Sequence, residues 1–397
     1  MIKESEFTRM FTQWNKILLA GLVCAAASTS CQGASPTPAA VPVQPWSRTF
    51  EGPGYGALFD IILTPEGDIL AVGASNYLHF PPYSGDALLV WLSQEGDVLR
   101  ERNWGGEGYE SALSVTPGEA GGYLVFGETD SYGAGDRDFF LLKIDEQGDQ
   151  EWFQTYGGAG REWPFGMLPL SNGDLLLYGF RQNAEGTVRD PLALRVDQEG
   201  SLVWEYSPSS PEEDIVLGAA ETAEGDIILT VNIEEDGALW KLDAEGNRLW
   251  SVRYELEGWQ YPSEVLQTEE GGFLLAGFSE RNGEIDTWIA HSNPAGELEW
   301  QTTLDNPLFD YAIKLIPLED GTFLVGGLGD NLPLYCIDGE GSLLWESFPG
   351  VKAVQGAKGL LELSDGSFLV AGFIQLINGY SYDAFVLRTD SEGRLGE

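Results

Sequence analysis

The sequence is poor in the residues on which most catalytic and metal sites depend. Its 397 residues include only three cysteines and two histidines. So few leave little material for a zinc site, a histidine-based catalytic triad or a disulfide framework. Lysine and arginine are also scarce, at 21 against 63 aspartates and glutamates, which gives a net charge of −42. A chain this acidic lacks the basic surface that DNA- and RNA-binding proteins need.

Long apolar runs are absent from the sequence except near the amino terminus. The run Ile17–Ala27 follows Lys3, Arg9 and Lys16 and is too short to cross a bilayer as a helix. A basic segment followed by a short apolar run is typical of a secretion signal. The next residues, Ser28-Thr29-Ser30-Cys31, resemble the cleavage site of bacterial lipoproteins, and this resemblance implies that Cys31 carries lipid.

We therefore predict a lipoprotein-type signal peptide over residues 1–30 and a tether over residues 31–45. The segment Gln32–Pro45 has four prolines and no charged residue, which favours an extended chain. The predicted location is the bacterial cell envelope, outside the cytoplasm. Lipid on Cys31 would be the only membrane attachment, and the protein would be secreted if Cys31 is not modified.

One tight turn recurs seven times in the rest of the sequence, 45 to 52 residues apart. Each copy has an Asp, Asn or Ser three residues before a glycine, which is typical of a tight turn. The seven turn glycines are Gly96, Gly148, Gly200, Gly246, Gly296, Gly341 and Gly393. Five copies have a tryptophan four residues after the glycine, at Trp152, Trp204, Trp250, Trp300 and Trp345.

Each copy also contains a second turn glycine, such as Gly67 or Gly366, followed by a short apolar run. The two turns divide a copy into four short strands, and no helical periodicity is present. Four strands in about 50 residues are typical of one blade of a β-propeller. We predict an all-β, seven-bladed β-propeller over residues 46–397, in which the repeated tryptophans fill the gaps between blades.

The seventh copy lacks a fourth strand in the sequence. The orphan segment Trp46–Phe50 reads like the fourth strands that begin at Trp152 and Trp250. We therefore predict that this N-terminal strand completes blade seven and closes the ring, which would remove the open sheet edges.

The segment Lys241–Trp250 resembles the repeat of the quinoprotein-like (PQQ-like) propellers, with one residue fewer between Asp243 and Gly246. The whole chain from residue 46 onward is similar to bacterial secreted and lipoprotein β-propellers with such repeats. The resemblance implies a fold but no particular activity. Quinone-dependent enzymes of this class carry paired cysteines, which this sequence lacks.

The connections between successive copies are the candidate binding surface. They carry aromatic residues beside acidic ones, a combination suited to sugar rings or to a cationic or extended peptide. The alternative is that these rings fill gaps between blades. The candidate ligand-binding residues are Tyr55, Tyr109, Trp163, Trp259, Tyr261, Phe309 and Tyr311.

We predict a non-catalytic, monomeric scaffold that binds an envelope protein or a glycan and needs no cofactor. Loop 130–138 loosely resembles a calcium loop because it has three aspartates, but it lacks the spacing of an EF-hand. The alternative function is a hydrolase or lyase that acts on an extracellular polysaccharide. It would require a carboxylate pair unique to one blade, whereas the aspartates such as Asp86 and Asp138 recur in nearly every copy.

Overall fold

Strands in the computed structural model group into seven antiparallel units of four strands, of which five are separate sheets and the last two share one sheet. The seven units are the blades of a β-propeller, as the repeat predicts. The structure describes residues 44–50, 56–76, 85–183, 185–186, 188–209, 214–281, 284–304, 310–350, 354–375 and 382–396. The predicted signal peptide, Cys31 and most of the tether lie outside these ranges.

The blades follow one another along the chain. The strands of blades one to four are β2 (Ala57–Leu63), β3 (Ile69–Ala74), β4 (Ala87–Leu92), β5 (Val98–Trp104), β6 (Glu110–Pro117), β7 (Tyr123–Thr129), β8 (Asp138–Ile144), β9 (Gln150–Tyr156), β10 (Arg161–Pro169), β11 (Leu175–Gln182), β12 (Arg189–Val196), β13 (Leu202–Tyr206), β14 (Asp214–Glu221), β15 (Ile227–Ile233), β16 (Asp236–Leu242) and β17 (Arg248–Tyr254).

Blades five to seven have the same order of strands. They comprise β18 (Trp259–Gln267), β19 (Phe273–Arg281), β20 (Glu284–Ser292), β21 (Leu298–Leu304), β22 (Asp310–Pro317), β23 (Phe323–Asp330), β24 (Leu334–Ile337), β25 (Leu343–Ser347), β26 (Val354–Glu362), β27 (Phe368–Gln375), β28 (Tyr382–Arg388) and β1 (Trp46–Phe50). In the described part of the chain, no helix is apolar and long enough to span a membrane.

The N-terminal strand closes the ring. Strand β1 pairs antiparallel with β28, with Trp46 opposite Arg388 and Phe50 opposite Ala384. Blade seven therefore contains three strands from the end of the chain and one from its beginning, which confirms the predicted closure.

Strand burial explains why the blades stack. The middle strands β4 and β8 are buried along their whole length. Such continuous apolar runs require cover on both sheet faces. The outer strands, such as β5, consist of exposed and partly buried residues because they form the rim of the disc.

The repeated tryptophans lie at the junctions between blades. Each one contacts the turn glycine of the next blade so closely that a methyl group added to that glycine would lie 2.5–3.0 Å from the indole. The indole Nε1 of Trp204 also donates to Ala244 O at 3.0 Å. The six pairs are Trp46 with Gly96, Trp152 with Gly200, Trp204 with Gly246, Trp250 with Gly296, Trp300 with Gly341 and Trp345 with Gly393.

The junction between blades one and two uses a different pair of residues. Arg100 occupies the place of the tryptophan, and its guanidinium lies 4.1 Å from the ring centre of Trp91. Trp91, from the neighbouring strand, contacts Gly148. An arginine stacked on a tryptophan thus fills the same space by a cation–π contact.

The centre of the disc is a core. Every innermost strand has a β-bulge at one equivalent position, and the bulged residues are Phe59, Leu113, Phe165, Leu217, Ser263, Ile313 and Lys358. All seven are buried. The five apolar members belong to one hydrophobic cluster, although they come from five different blades. They therefore meet near the axis and fill it.

Blades six and seven are joined by backbone hydrogen bonds. Beyond the short strand β24, the end of β23 pairs with β26, with Leu328 opposite Gly356 and Gly329 opposite Gln355. The two blades form one continuous sheet of eight strands.

Candidate binding face

The antiparallel order of the strands separates two faces of the disc. The connections between blades, such as 105–109 and 255–258, lie with the hairpin loops that join second and third strands, such as 130–137 and 234–235. We call this side the loop face. The glycine turns, such as 64–67 and 93–96, lie on the opposite side, which we call the turn face.

Buried carboxylates hold the connections on the loop face. The side chain of Glu110, fully buried at the start of β6, accepts a hydrogen bond from Gly106 N at 2.8 Å and from Thr129 Oγ1 at 2.6 Å. The carboxylate therefore ties the connection between blades one and two to the hairpin of blade two. It is a structural group with its acceptor positions occupied.

Glu162 has the same role one blade later. Its carboxylate accepts from Arg181 Nε at 2.7 Å and from Gly158 N at 3.3 Å. Burial raises the pKa of Glu162, the hydrogen bond from Arg181 opposes this shift, and the charge of Asp138 adds to it. Asp138 Oδ1 and Glu162 Oε2 both flank Gly157, where a side chain would collide with them.

The carboxylate pair beside Gly157 recurs at the preceding junction. Asp86 and Glu110 flank Gly105 in the same way. The recurring aspartate thus partners a second recurring acid, at the position three residues ahead of the bulge. Sequence reasoning missed this position, which is occupied by Glu110, Glu162, Asp214, Gln260, Asp310 and Gln355 in six of the seven copies.

Two of the predicted aromatic residues are buried. Tyr109 is 2% exposed, with the Arg137 guanidinium 4.8 Å from its ring centre, and Tyr261 is 3% exposed and stacked on Phe278 at 4.8 Å. Both rings fill space within the core, as in the alternative considered for these residues. They are not part of the exposed surface.

Trp163 is partly buried, and both faces of its ring are covered. Phe180 stacks on it with ring centres 6.0 Å apart and an angle of 10°. The Arg161 guanidinium lies 4.0 Å from the ring centre, and that of Arg137 lies 5.9 Å away. The ring of Trp163 thus already makes cation–π contacts with two arginines of the protein.

Trp259 differs from the other three candidate aromatics whose side chains are described. It begins strand β18, is partly buried and lies opposite Glu280 in the strand register. Among the described residues, no aromatic ring or guanidinium stacks on it. The residue next to it, Gln260, donates from its backbone N to Glu235 O at 3.0 Å, so the blade-four hairpin adjoins this strand.

The surroundings of Trp259 are strongly acidic. Segments 234–236, 253–259 and 280–281, together with Glu284, carry seven carboxylates and two arginines. Arg253 binds Asp236 at 2.7 Å and lies 3.8 Å from Glu234, so these acids already neutralise it. We call this surface the Trp259 patch: Trp259 with Glu234, Glu235, Glu255, Glu257, Glu280 and Glu284.

Solved structures of other propellers resemble this fold. YCF48 bound to a D1 peptide is 12% identical, with a TM-score of 0.54 over 87% of this chain and 95% of that chain. Raptor from Chaetomium thermophilum is 13% identical, with a TM-score of 0.53 over 88% of this chain and 29% of that chain. BamB from Moraxella catarrhalis is 12% identical, with a TM-score of 0.44 over 83% of this chain and 82% of that chain. At these identities the likeness extends to the fold alone.

Neither a protein-family model nor a curated relative matches the sequence. The fold is therefore shown by the blades and by the two solved structures with TM-scores above 0.5, and any function must be argued from the surface of this chain.

The structure does not describe the side chains of three predicted aromatic residues. Tyr55 and Phe309 lie outside the described residues. Tyr311 lies in strand β22, but only its backbone is described. In the described part of the chain, no group of three or more His, Cys, Asp or Glu side chains is arranged to hold a metal ion.

Proposed function

We propose that this protein is a non-catalytic scaffold that binds another protein through its loop face. It is exported by the signal over residues 1–30 and held in the bacterial cell envelope by lipid on Cys31. The proposal for export and anchoring is supported by the basic and apolar segments and by the residues that precede Cys31.

The observation that carries the binding proposal is the state of Trp259. Of the four predicted aromatics whose side chains are described, Tyr109 and Tyr261 are buried and Trp163 is contacted by the protein's own rings and arginines, whereas Trp259 has no such contact among the described residues. Partly exposed tryptophans surrounded by polar groups are typical centres of protein interfaces. A fold of this kind also supports peptide binding elsewhere, since the similar propeller YCF48 binds a D1 peptide.

Cleavage of a polysaccharide, as by a hydrolase or a lyase, is the less favoured function. A glycosidase needs one asymmetric carboxylate pair. The close pair Asp138 and Glu162 has a counterpart in Asp86 and Glu110, and the groups at both junctions hold loops in place. This repetition favours structural roles for these acids.

Capture of partners from envelope extracts tests the proposal. The full-length variant Trp259→Ala should lose the partners that the native protein captures, while keeping its melting temperature. The control variant Leu249→Ala, at a residue that is 53% exposed on outer strand β17, should retain them. Identical partners for the native protein and Trp259→Ala would refute the loop face as the binding surface. In the same cells, Cys31→Ser should move the protein from the membrane fraction to the soluble fraction.

A further inference from the structure

We propose that the Trp259 patch binds a cationic peptide segment, and that a lysine or arginine side chain of the partner lies against the Trp259 ring. This inference rests on the proposed function and names the chemical class of its partner.

The loop face itself shows how its aromatic rings are covered. Arg137 lies against Tyr109, and Arg161 lies against Trp163 at 4.0 Å. At these junctions a guanidinium from the protein meets the negative face of the ring, which is a favourable cation–π contact. Trp259 occupies the place in blade five that Tyr109 has in blade two, four residues ahead of the bulge. Among the described residues no cation covers it, so a cation from a partner can take this place.

The charge of the patch selects the same kind of partner. Apart from Asp236, which binds Arg253, the three segments and Glu284 present six glutamates. Arg281 is exposed, and it is the one other cation in these segments. Carboxylates concentrated around an aromatic ring attract cations and repel anionic ligands, and the effect weakens as salt increases. An acidic polysaccharide or a phosphorylated partner would be repelled here.

A buried amide next to Trp259 in β18 holds the loop that carries Glu257. Gln260 is 1% exposed, and its Nε2 donates to Glu257 O at 3.2 Å and to Gly258 O at 3.0 Å. Its Oε1 is buried and has no hydrogen-bond partner in the described part of the chain. The amide cannot be turned over, because its oxygen would then face two carbonyls. The loop that carries Glu257 is thus fixed by a buried side chain, so the acids beside Trp259 are held in place before a partner binds.

The hairpins of blades two and four bring opposite charges to the loop face. The blade-two hairpin, which runs from 130 to 137, contributes Arg137 to Tyr109 of its own blade and to Trp163 of the next blade. The blade-four hairpin consists of only Glu234 and Glu235, so it brings carboxylates and no cation to the start of β18.

The test uses two synthetic peptides and the purified full chain. One acetylated peptide alternates lysine with glycine, and the other has glutamine in place of each lysine. Binding is followed by titration calorimetry at low and high salt. We expect the lysine peptide to bind and the glutamine peptide to bind at least about tenfold more weakly. High salt should weaken the binding of the lysine peptide.

Variants separate the patch from the general negative charge of the protein. Trp259→Ala should weaken the lysine peptide about tenfold, and Trp259→Phe should restore part of the affinity because a ring remains. The double variant Glu257→Gln/Glu280→Gln should weaken binding by about threefold to tenfold. The matched control Glu224→Gln/Glu245→Gln removes two exposed acids from the turn face and should change affinity less than about twofold.

Several outcomes would overturn the inference. Equal affinity for the native chain, Trp259→Ala and the control would mean that the lysine peptide binds by diffuse attraction. Binding of an uncharged glucan that disappears in Trp259→Ala and is insensitive to salt would assign the ring to a sugar. If Trp259→Ala loses the natural partner while the Glu257/Glu280 variant keeps it at all salt concentrations, the scaffold function stands and the cationic class fails. If Trp259→Ala keeps the natural partner, the proposed function itself fails.

Discussion

Turn glycines have two separate reasons to be glycine in this protein, and blade four contains an example of each. Gly246 and Gly225 have nearly the same backbone angle, with φ of 83° and 86°. A side chain at either position would be strained, because this left-handed region disfavours residues with a Cβ. Only Gly246 also touches a neighbour, since a methyl group there would lie 2.8 Å from Trp204 Cδ2, whereas nothing lies within 4 Å at Gly225.

This pair gives a direct measure of the contact between blades. Gly225→Ala should lower the free energy of unfolding by about 1 kcal/mol, from backbone strain alone. Gly246→Ala should lower it by about 2–4 kcal/mol, because Trp204 must also move. Urea unfolding monitored by tryptophan fluorescence measures both values. Equal losses in the two variants would mean that the tryptophan adjusts freely and does not lock the junction.

At the residue scale, spacing in the sequence predicted the turns but not the burial of the loop aromatics. The Asp–Gly–Trp pattern repeats with the same residues, so it is visible without a structure. The buried acids such as Glu110 and Glu162 were harder to recognise. Their position is occupied by Glu, Asp or Gln in different blades, and a bulge follows it. Tyr109 is buried partly because Arg137 of the hairpin of its own blade lies against it, a contact that the sequence order does not reveal.

Among the single strands, β1, which closes the ring, is the one whose loss we expect to lower stability most. Strand β1 contributes Trp46, which donates to Gln94 O at 2.8 Å and contacts Gly96 of blade one. Its loss would expose the edge of β28 and remove one of the tryptophan junctions. An unpaired edge strand is a template for pairing with other chains.

Two truncations test the role of β1. A chain that begins at residue 44 keeps the strand and should stay monomeric, with the melting temperature of the full chain. A chain that begins at residue 51 should melt at least about 10 °C lower and form oligomers at high concentration. Light scattering and thermal unfolding measure the two effects. A monomeric and equally stable shorter chain would show that closure by β1 is dispensable.

At the element scale, the sequence predicted the strand that completes blade seven but not the pairing between blades six and seven. Trp46–Phe50 matches the other fourth strands in sequence, and blade seven lacked one. By contrast, the residues Leu328-Gly329-Asp330 of β23 carry no distinctive pattern. Their pairing with β26 follows from the shortness of β24, which spans only Leu334–Ile337 and leaves the end of β23 available.

The axis, where all the blades meet, determines how the whole molecule responds to pH. Lys358 and Lys314 are fully buried there, and Lys314 Nζ binds Glu264 Oε1 at 2.9 Å. Burial and then the positive charge of Lys314 hold the pKa of Lys358 well below its ordinary value, although Glu264 opposes the shift. The unfolded chain therefore binds this proton more tightly than the folded protein does. The resulting cost to stability is present at neutral pH and disappears as the pH rises to about 10.4, the ordinary lysine value.

Lys358→Met should accordingly stabilise the protein at neutral pH. The expected gain in the free energy of unfolding is about 1–4 kcal/mol at pH 7, falling toward zero near pH 10.4 as the native lysine loses its proton in both states. Urea unfolding of both proteins at the two pH values measures the difference. A variant that is less stable than the native protein by the same amount at both pH values would mean that the contacts of Lys358, such as its approach to Phe59, outweigh the cost of burial.

The charge of the whole molecule is visible in the sequence, but its distribution is not. The value of −42 predicts, without any structure, that nucleic acid is not a partner. The Trp259 patch, however, is assembled from residues of segments 234–236 and 253–259 with Glu280 and Glu284, which only the stacking of blades four and five brings together. Composition could indicate that acids are abundant, but not which of them would surround an uncovered ring.

The pairing of β1 with β28 also decides how the molecule would respond to pulling. The N-terminal segment leaves the disc at Trp46, on the turn face, whereas the proposed partner lies on the loop face. Tension between the two would run along β1 and strain its backbone hydrogen bonds to β28 together, in shear, instead of opening them one at a time. The protein would then grip its partner under flow or envelope stress while its first strand served as a mechanical clamp.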